Sequence, residues 1–248
     1  MVYGFWSPEA NFGDALTPWI LEKLFNEPVV FKRPASGHTS YMVTGSILNC
    51  ELTNAIVWGC GLANANDPVA LDAAEIRAVR GPLTAKIARA RGAVISDVVG
   101  DPALLLPRWY KPKIEGGDLG IIPHYVDYKE VQARYGQSDD IVVVDVLQPV
   151  ETVLDQLALC NRVLSSSLHG LIAAHAYGKP ADWVIFSNRI EGDGMKFQDY
   201  FLSIGHNVTP PIDMMYSHYT ADELCRRPIK CRVRDIDLDA LWQARPFR

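Results

Sequence analysis

The sequence predicts an α/β protein built on parallel sheets in two domains. Two observations lead to that reading: short β-rich runs alternate with helical patterns in two successive series, and a breaker-rich stretch separates the series. The 248 residues suffice for one large domain or two small ones, so length alone does not choose between them.

The first series, domain 1–112, reads as a helix over Leu16–Phe25, strands over Tyr41–Ile47, Ala55–Trp58 and Ile76–Val79, and a helix over Pro82–Arg91. It ends in the apolar run Ala103–Leu106. From Pro107 to Gly117 the chain is rich in Pro, Lys and Gly, which suits a linker. The second series, domain 117–235, has strands over Leu119–Ile122, Ile141–Val146, Arg162–Leu164 and Asp182–Phe186, with helices over Val150–Cys160, Leu168–Tyr177 and Lys196–Ser203. The remainder, 236–248, carries a helical pattern from Ile236 to Ala244. Two such domains facing one another leave a cleft at the carboxyl ends of their strands, where ligands bind in this class of sheet.

Composition narrows the function. Hydrophobic residues make up 48% and charged residues 21%, as in an ordinary folded protein. The net charge of -5 argues against nucleic acid as a partner, because phosphate-backbone affinity comes from clustered Lys and Arg. The one basic concentration, Arg226, Arg227, Lys230, Arg232 and Arg234, reads as a solvated surface and allows at most a peripheral contact with anionic lipid. The five cysteines have no metal-knuckle or redox spacing and read as reduced thiols. The N-terminus lacks the pattern of a secretion signal and no apolar run has membrane-spanning length, so the expected location is the cytoplasm.

Three turns ahead of helices are candidate anion sites. Ser166, Ser167, His169 and Gly170 follow a short strand and open an apolar helix, whose unpaired N–H groups and positive dipole end attract phosphate. Ser166 or Ser167 serves equally as a helix cap, whereas His169 reads as functional because it sits at a strand-to-helix turn facing the cleft. Arg80 ends a strand just before Gly81-Pro82, where its guanidinium suits a carboxylate or phosphate, or else a surface ion pair. Asn11 and Asp14 flank Gly13 ahead of the first helix; Asp14 serves as its cap or, since Thr17-Pro18 is an equally good cap and first-turn pair, is free for other work. Asp101, beside Pro102, and His124 also follow strands; the first suits a turn and the second a contact with ligand.

In chain order, Asn11-Phe12-Gly13-Asp14, Val79-Arg80-Gly81-Pro82-Leu83-Thr84, Gly100-Asp101-Pro102-Ala103, Ser166-Ser167-Leu168-His169-Gly170 and Lys196-Phe197-Gln198-Asp199-Tyr200-Phe201 resemble the polysaccharide pyruvyl transferase family. The similarity spreads over most of residues 11 to 205 and is closest to the short members that place ketal-linked pyruvate on bacterial exopolysaccharides. It implies two Rossmann-like domains arranged as in the GT-B glycosyltransferases. It also implies transfer from phosphoenolpyruvate, as co-substrate, to two hydroxyls of one hexose, with release of phosphate. Many members carry an arginine directly before the Leu-His pair, where this chain has Ser167; Arg80 is then the natural substitute.

On that chemistry His169 is the expected general acid, since histidine titrates near neutral pH, and Asp14 the base or hydroxyl-orienting group. Arg80, Lys196 and the helix start supply positive potential, and Ser166, Ser167, Gly170 and His124 join the donor site, with Asn11 and Asp101 as further candidates. No metal or other cofactor is required. The acceptor is a sugar of an exopolysaccharide or of its lipid-linked precursor, met at the inner face of the membrane. Two other functions suit the same scaffold: a GT-B glycosyltransferase using a nucleotide sugar, and a non-catalytic module binding glycan or phosphate.

Overall fold

The computed structural model describes residues 1–9, 11–34, 37–50, 52–69, 74–113, 116–207, 210–217 and 219–246. The chain divides into two compact units, one made of Met1–Leu105, Gly192–Val208 and Arg234–Arg248, the other of Leu106–Glu191 and Thr209–Val233. This differs from the single break expected between 112 and 117. The division falls within a 3-10 helix, Pro102–Arg108, and residues 192–208 and 234–248 belong to the first unit rather than to the second or to a separate helix. Ile114 and Glu115 of the expected linker lie outside the described residues.

The first unit opens with β1 (Val2–Gly4), α1 (Phe12–Phe25), β2 (Val29–Phe31), β3 (Ser40–Met42), β4 (Ala55–Trp58), β5 (Glu75–Ala78) and α2 (Pro82–Ala90). All its strand pairs are parallel, in the order β2-β1-β3-β4-β5. Asn11 caps α1 by accepting a hydrogen bond from the Asp14 N–H at 3.2 Å. Thr17 and Pro18 therefore lie within the helix and not at its start. Thr17 is instead buried against Thr44, with their hydroxyl oxygens 2.9 Å apart, which ties α1 to the chain leaving β3.

The second unit continues with β6 (Asp118–Ile122), α3 (Tyr128–Tyr135), β7 (Ile141–Val143), α4 (Val150–Ala158), β8 (Cys160–Ser165), α5 (Leu168–Ala176) and β9 (Ala181–Ile185). The chain then returns to the first unit as α6 (Met195–Ser203), comes back as β10 (Ile212–Asp213) and α7 (Ala221–Arg226), and ends in the first unit with α8 (Leu238–Gln243). The second sheet is also parallel, in the order β10-β9-β8-β6-β7. Counted from the first strand of each unit, both sheets run 2-1-3-4-5, a doubly wound order that reverses once, between β1 and β3 and between β6 and β8.

The helices of the second unit lie on opposite faces of its sheet. Val131 and Tyr135 of α3 pack with Leu119, Ile121 and Leu164, whereas Gly170 of α5 faces Ile122, the next residue along β6 and so on the other side. Loops leaving β6 and β8 thus part toward opposite faces and open a crevice between them. Among the described residues no helix is long and apolar enough to cross a membrane.

α6 joins the first unit because of Asp199. Its fully buried carboxylate accepts from the backbone N–H of Leu83 at 2.8 Å and Thr84 at 3.1 Å, and from the Thr84 hydroxyl at 2.6 Å. It therefore caps α2, whose own cap residue, Gly81, has no side chain to do so. Glycine is needed there, since a Cβ on Gly81 would lie 2.1 Å from the Asp199 carbonyl oxygen. Asp199 also pairs with Arg80 at 3.4 Å, both side chains being 0% exposed. Asp199→Ala, which strands the buried guanidinium, is expected to lower stability by about 3–5 kcal/mol, read from urea unfolding. Loss of less than ~1 kcal/mol would show that the pair does not hold α6 in place.

Candidate active site

The second unit gathers five of the expected site residues at its reversal point. Ser165, the last residue of β8, places its hydroxyl 2.7 Å from the Ile122 carbonyl and accepts from the Ser167 N–H at 3.0 Å. The buried Ser166 hydroxyl accepts from the His124 N–H at 2.9 Å, and its own N–H reaches the Ile122 carbonyl at 3.2 Å. The chain ends of β6 and β8 are thereby sewn together across the crevice. Ser167 is the N-cap of α5 but makes no side-chain cap bond, so neither serine acts as the cap hydroxyl. Gly170 lets α5 approach the sheet, because a Cβ there would lie 2.6 Å from the Ser165 Oγ. His169, in the first turn of α5, is 9% exposed, and the His124 ring is half-buried and packs on Tyr125.

A second cluster forms at the reversal point of the first unit. The Asn11 amide donates to the Asp14 carboxylate at 2.6 Å, which fixes that carboxylate at the first turn of α1. The loop after β3 passes beside it: a Cβ on Gly45 would lie 3.9 Å from Asp14 Oδ1, and the next residue, Ser46, accepts from Arg80 Nη1 at 2.8 Å. The loop that bonds Arg80 through Ser46 thus passes close to Asp14.

Arg80 is placed otherwise than a surface ion pair or an open carboxylate clamp requires. The guanidinium is fully buried, donates to the Leu62 carbonyl at 2.5 Å as well as to Ser46, and lies against Gly61, where a Cβ would come within 2.5 Å of Cζ. The carboxylate it pairs with is the protein's own, Asp199. Asp101 is buried too and caps the 3-10 helix by accepting from the Ala103 N–H at 2.9 Å. Burial raises the Cys60 thiol well above its ordinary pKa; Asp101 adds to that rise and Arg80 opposes it. Cys60 is thus no nucleophile at neutral pH. Lys196 lies in the first turn of α6, with its ammonium 5.7 Å from the Phe197 ring centre, and so belongs to the first unit rather than to the second.

Two groups escaped the sequence reading. Asp199 lay within a quoted motif, but nothing in its spacing announces the partner 115 residues earlier that it caps. The other is Asp127, with Ser187 and Arg189. Asp127 is fully buried and accepts from the Ser187 hydroxyl at 2.6 Å and from Arg189 Nη2 at 2.8 Å. Arg189 Nη2 also reaches Glu130 at 2.7 Å. The hydrogen bond to Asp127, with Glu130 beside it, raises the Arg189 pKa above its ordinary value.

The sequence model of the polysaccharide pyruvyl transferase family matches residues 54–184. An uncharacterized protein of Acanthamoeba polyphaga mimivirus is 30% identical over 207 residues, covering 79% of this chain and 72% of that relative. No solved structure matches the chain. The matched span is just over half of the 248 residues and holds Arg80, Asp101, His124 and the whole turn from Ser165 to Gly170. With that span on the doubly wound sheets described above, the chain belongs to the polysaccharide pyruvyl transferase family and is a transferase.

Proposed function

We propose that the protein transfers pyruvate from phosphoenolpyruvate to two hydroxyls of one hexose, forming a ketal and releasing phosphate. The observation that supports this best is the pinned turn at the β6/β8 reversal, which presents an α5 start without a side-chain cap and a histidine in its first turn. Backbone N–H groups there favour a phosphate, and Ser166, Ser167, Gly170 and His124 shape its seat.

In this reading His169 protonates the methylene carbon of the enol, leaving a cation-like carbon that the first sugar hydroxyl attacks. The second hydroxyl then displaces phosphate and closes the ketal. Of the two hydroxyl protons, one leaves with phosphate and the other restores the acid. Asp14, held by Asn11, orients or deprotonates the acceptor hydroxyls, and Lys196 adds positive potential. Arg80 contributes by positioning Ser46 and the loop beside Asp14, since its guanidinium is enclosed inside the first unit. The acceptor sugar belongs to an exopolysaccharide or to its lipid-linked precursor, met at the inner face of the membrane.

Purified protein incubated with phosphoenolpyruvate and a panel of synthetic and lipid-linked glycosides is expected to release phosphate and form an acid-labile pyruvyl sugar, seen by mass spectrometry. Nucleotide release from a sugar donor, with no phosphate from phosphoenolpyruvate, would favour the glycosyltransferase instead. His169→Ala is expected to lower turnover by about 10²–10⁴-fold while calorimetry finds donor affinity little changed. Turnover near the wild-type rate would remove His169 from the mechanism. Asp14→Asn should lower kcat with little change in the donor KM, and an unchanged kcat would leave Asp14 a structural role beside Asn11.

A further inference from the structure

Three loops leave the carboxyl end of the second sheet from neighbouring strands, after β6, β8 and β9. β8 lies between the other two, so any bond from the loop after β9 to the loop after β6 must pass the end of β8. Arg189 makes such a bond. It follows β9, and its Nη2 donates to Asp127, the residue that opens α3 after β6. The pair therefore spans the strand end from which the Ser166–Gly170 turn departs. It runs on the side where α3 packs, whereas α5 leaves on the other. The β6/β8 crevice lies between them.

The guanidinium is held rigidly for a surface arginine. Nη2 bridges Asp127 and Glu130, and Nε lies 3.3 Å from the Ser187 hydroxyl, which is itself bonded to Asp127. Asp127 begins α3 yet makes no side-chain cap bond with it, and Oδ1 of its buried carboxylate accepts from both Ser187 and Arg189. Among the described residues Nη1 has no protein partner, and the Arg189 side chain is 43% exposed. One edge of the fork is thus anchored, while Nη1 keeps two N–H donors that no described group takes up. Such an arrangement is pre-organised for an oxyanion, because the anchoring contacts have already removed the rotamer freedom that an anion would otherwise have to freeze.

We propose that Arg189 binds an anionic end of the donor, phosphate or carboxylate, through Nη1 in the β6/β8 crevice. The proposal rests on the donor reading above. Asp127 and Ser187 position the fork, and Glu130, 70% exposed, competes with the incoming anion for the same charge. This competition gives the arrangement a signature that a purely structural salt bridge lacks: removing the Glu130 charge strengthens donor binding.

The test uses the full chain and two variants, with inorganic phosphate and pyruvate as separate probes in nuclear magnetic resonance titrations beside steady-state kinetics with phosphoenolpyruvate. Arg189→Gln is expected to weaken donor binding by about ten- to a hundredfold, the value of a charge-assisted hydrogen bond. Glu130→Gln is expected to tighten it by about two- to fivefold. Loss of phosphate affinity alone assigns Nη1 to the phosphate; loss of pyruvate affinity alone assigns it to the carboxylate. If Arg189→Gln does not fold, the Glu130 variant decides alone. Donor affinity that is unchanged or weaker in Glu130→Gln, or unchanged in a folded Arg189→Gln, overturns the proposal. Anion binding by the wild type without phosphoenolpyruvate consumption would sink the functional reading while the variants still judge Arg189.

Discussion

A parallel sheet collects the carboxyl ends of all its strands on one edge, and everything chemical in this protein follows from how the chain departs from that edge. Where the strand order reverses, two adjacent loops turn to opposite faces and the backbone cannot fill the space between them. Both sheets have that reversal at the same place in their order. Each closes its base with short side-chain bonds, Thr17 to Thr44 in the first unit and His124 to Ser166 in the second. The candidate site residues stand on these sewn ends and not on long free loops, which holds their backbone in place.

Charge is handled in the same way in both units. The protein is acidic overall, and two of its arginines are each held by an aspartate of the same unit, Arg80 by Asp199 and Arg189 by Asp127. The difference between them lies in solvent. Arg80 is enclosed, and its pairing with Asp199 is part of the joint that binds α6 to α2. Arg189 is pinned at one edge only and keeps the other open. A buried pair locks a fold, while a half-buried one leaves a cation oriented and usable.

Much of this was readable in the residues. The strand Ala55–Trp58 was read to its limits, and the second-unit alternation of strand and helix emerged because Leu, Ile and Val runs there are flanked by turn formers. The strand-to-helix turn at Ser166–Gly170 was also legible, since strand, small polar residues and apolar helix follow one another directly. What escaped had weak local signals. β2 is a three-residue strand whose side chains are half-buried or exposed, and α3 buries only Val131 and Tyr135. Arg80 reads in the sequence as a clamp for a ligand anion, or else a surface ion pair, because nothing nearby supplies its counterion, which comes from α6 more than a hundred residues later. The helix start at Thr17-Pro18 misled for the opposite reason: a plausible local cap was outcompeted by Asn11, which engages Asp14 at both its N–H and its carboxylate.

The return of α6 to the first unit also bears on how the chain is made. Residues 1–105 leave the ribosome carrying an α2 whose first N–H groups have no carboxylate to receive them, and an arginine destined for the interior without its counterion. At the ordinary pace of synthesis, Asp199 follows about 5–20 s later. Until then the first unit is left incomplete while the second is already emerging. The nascent chain must shelter a half-built amino-terminal fold, and a translation pause or a truncation upstream of Asp199 leaves it as a target for chaperones and proteases.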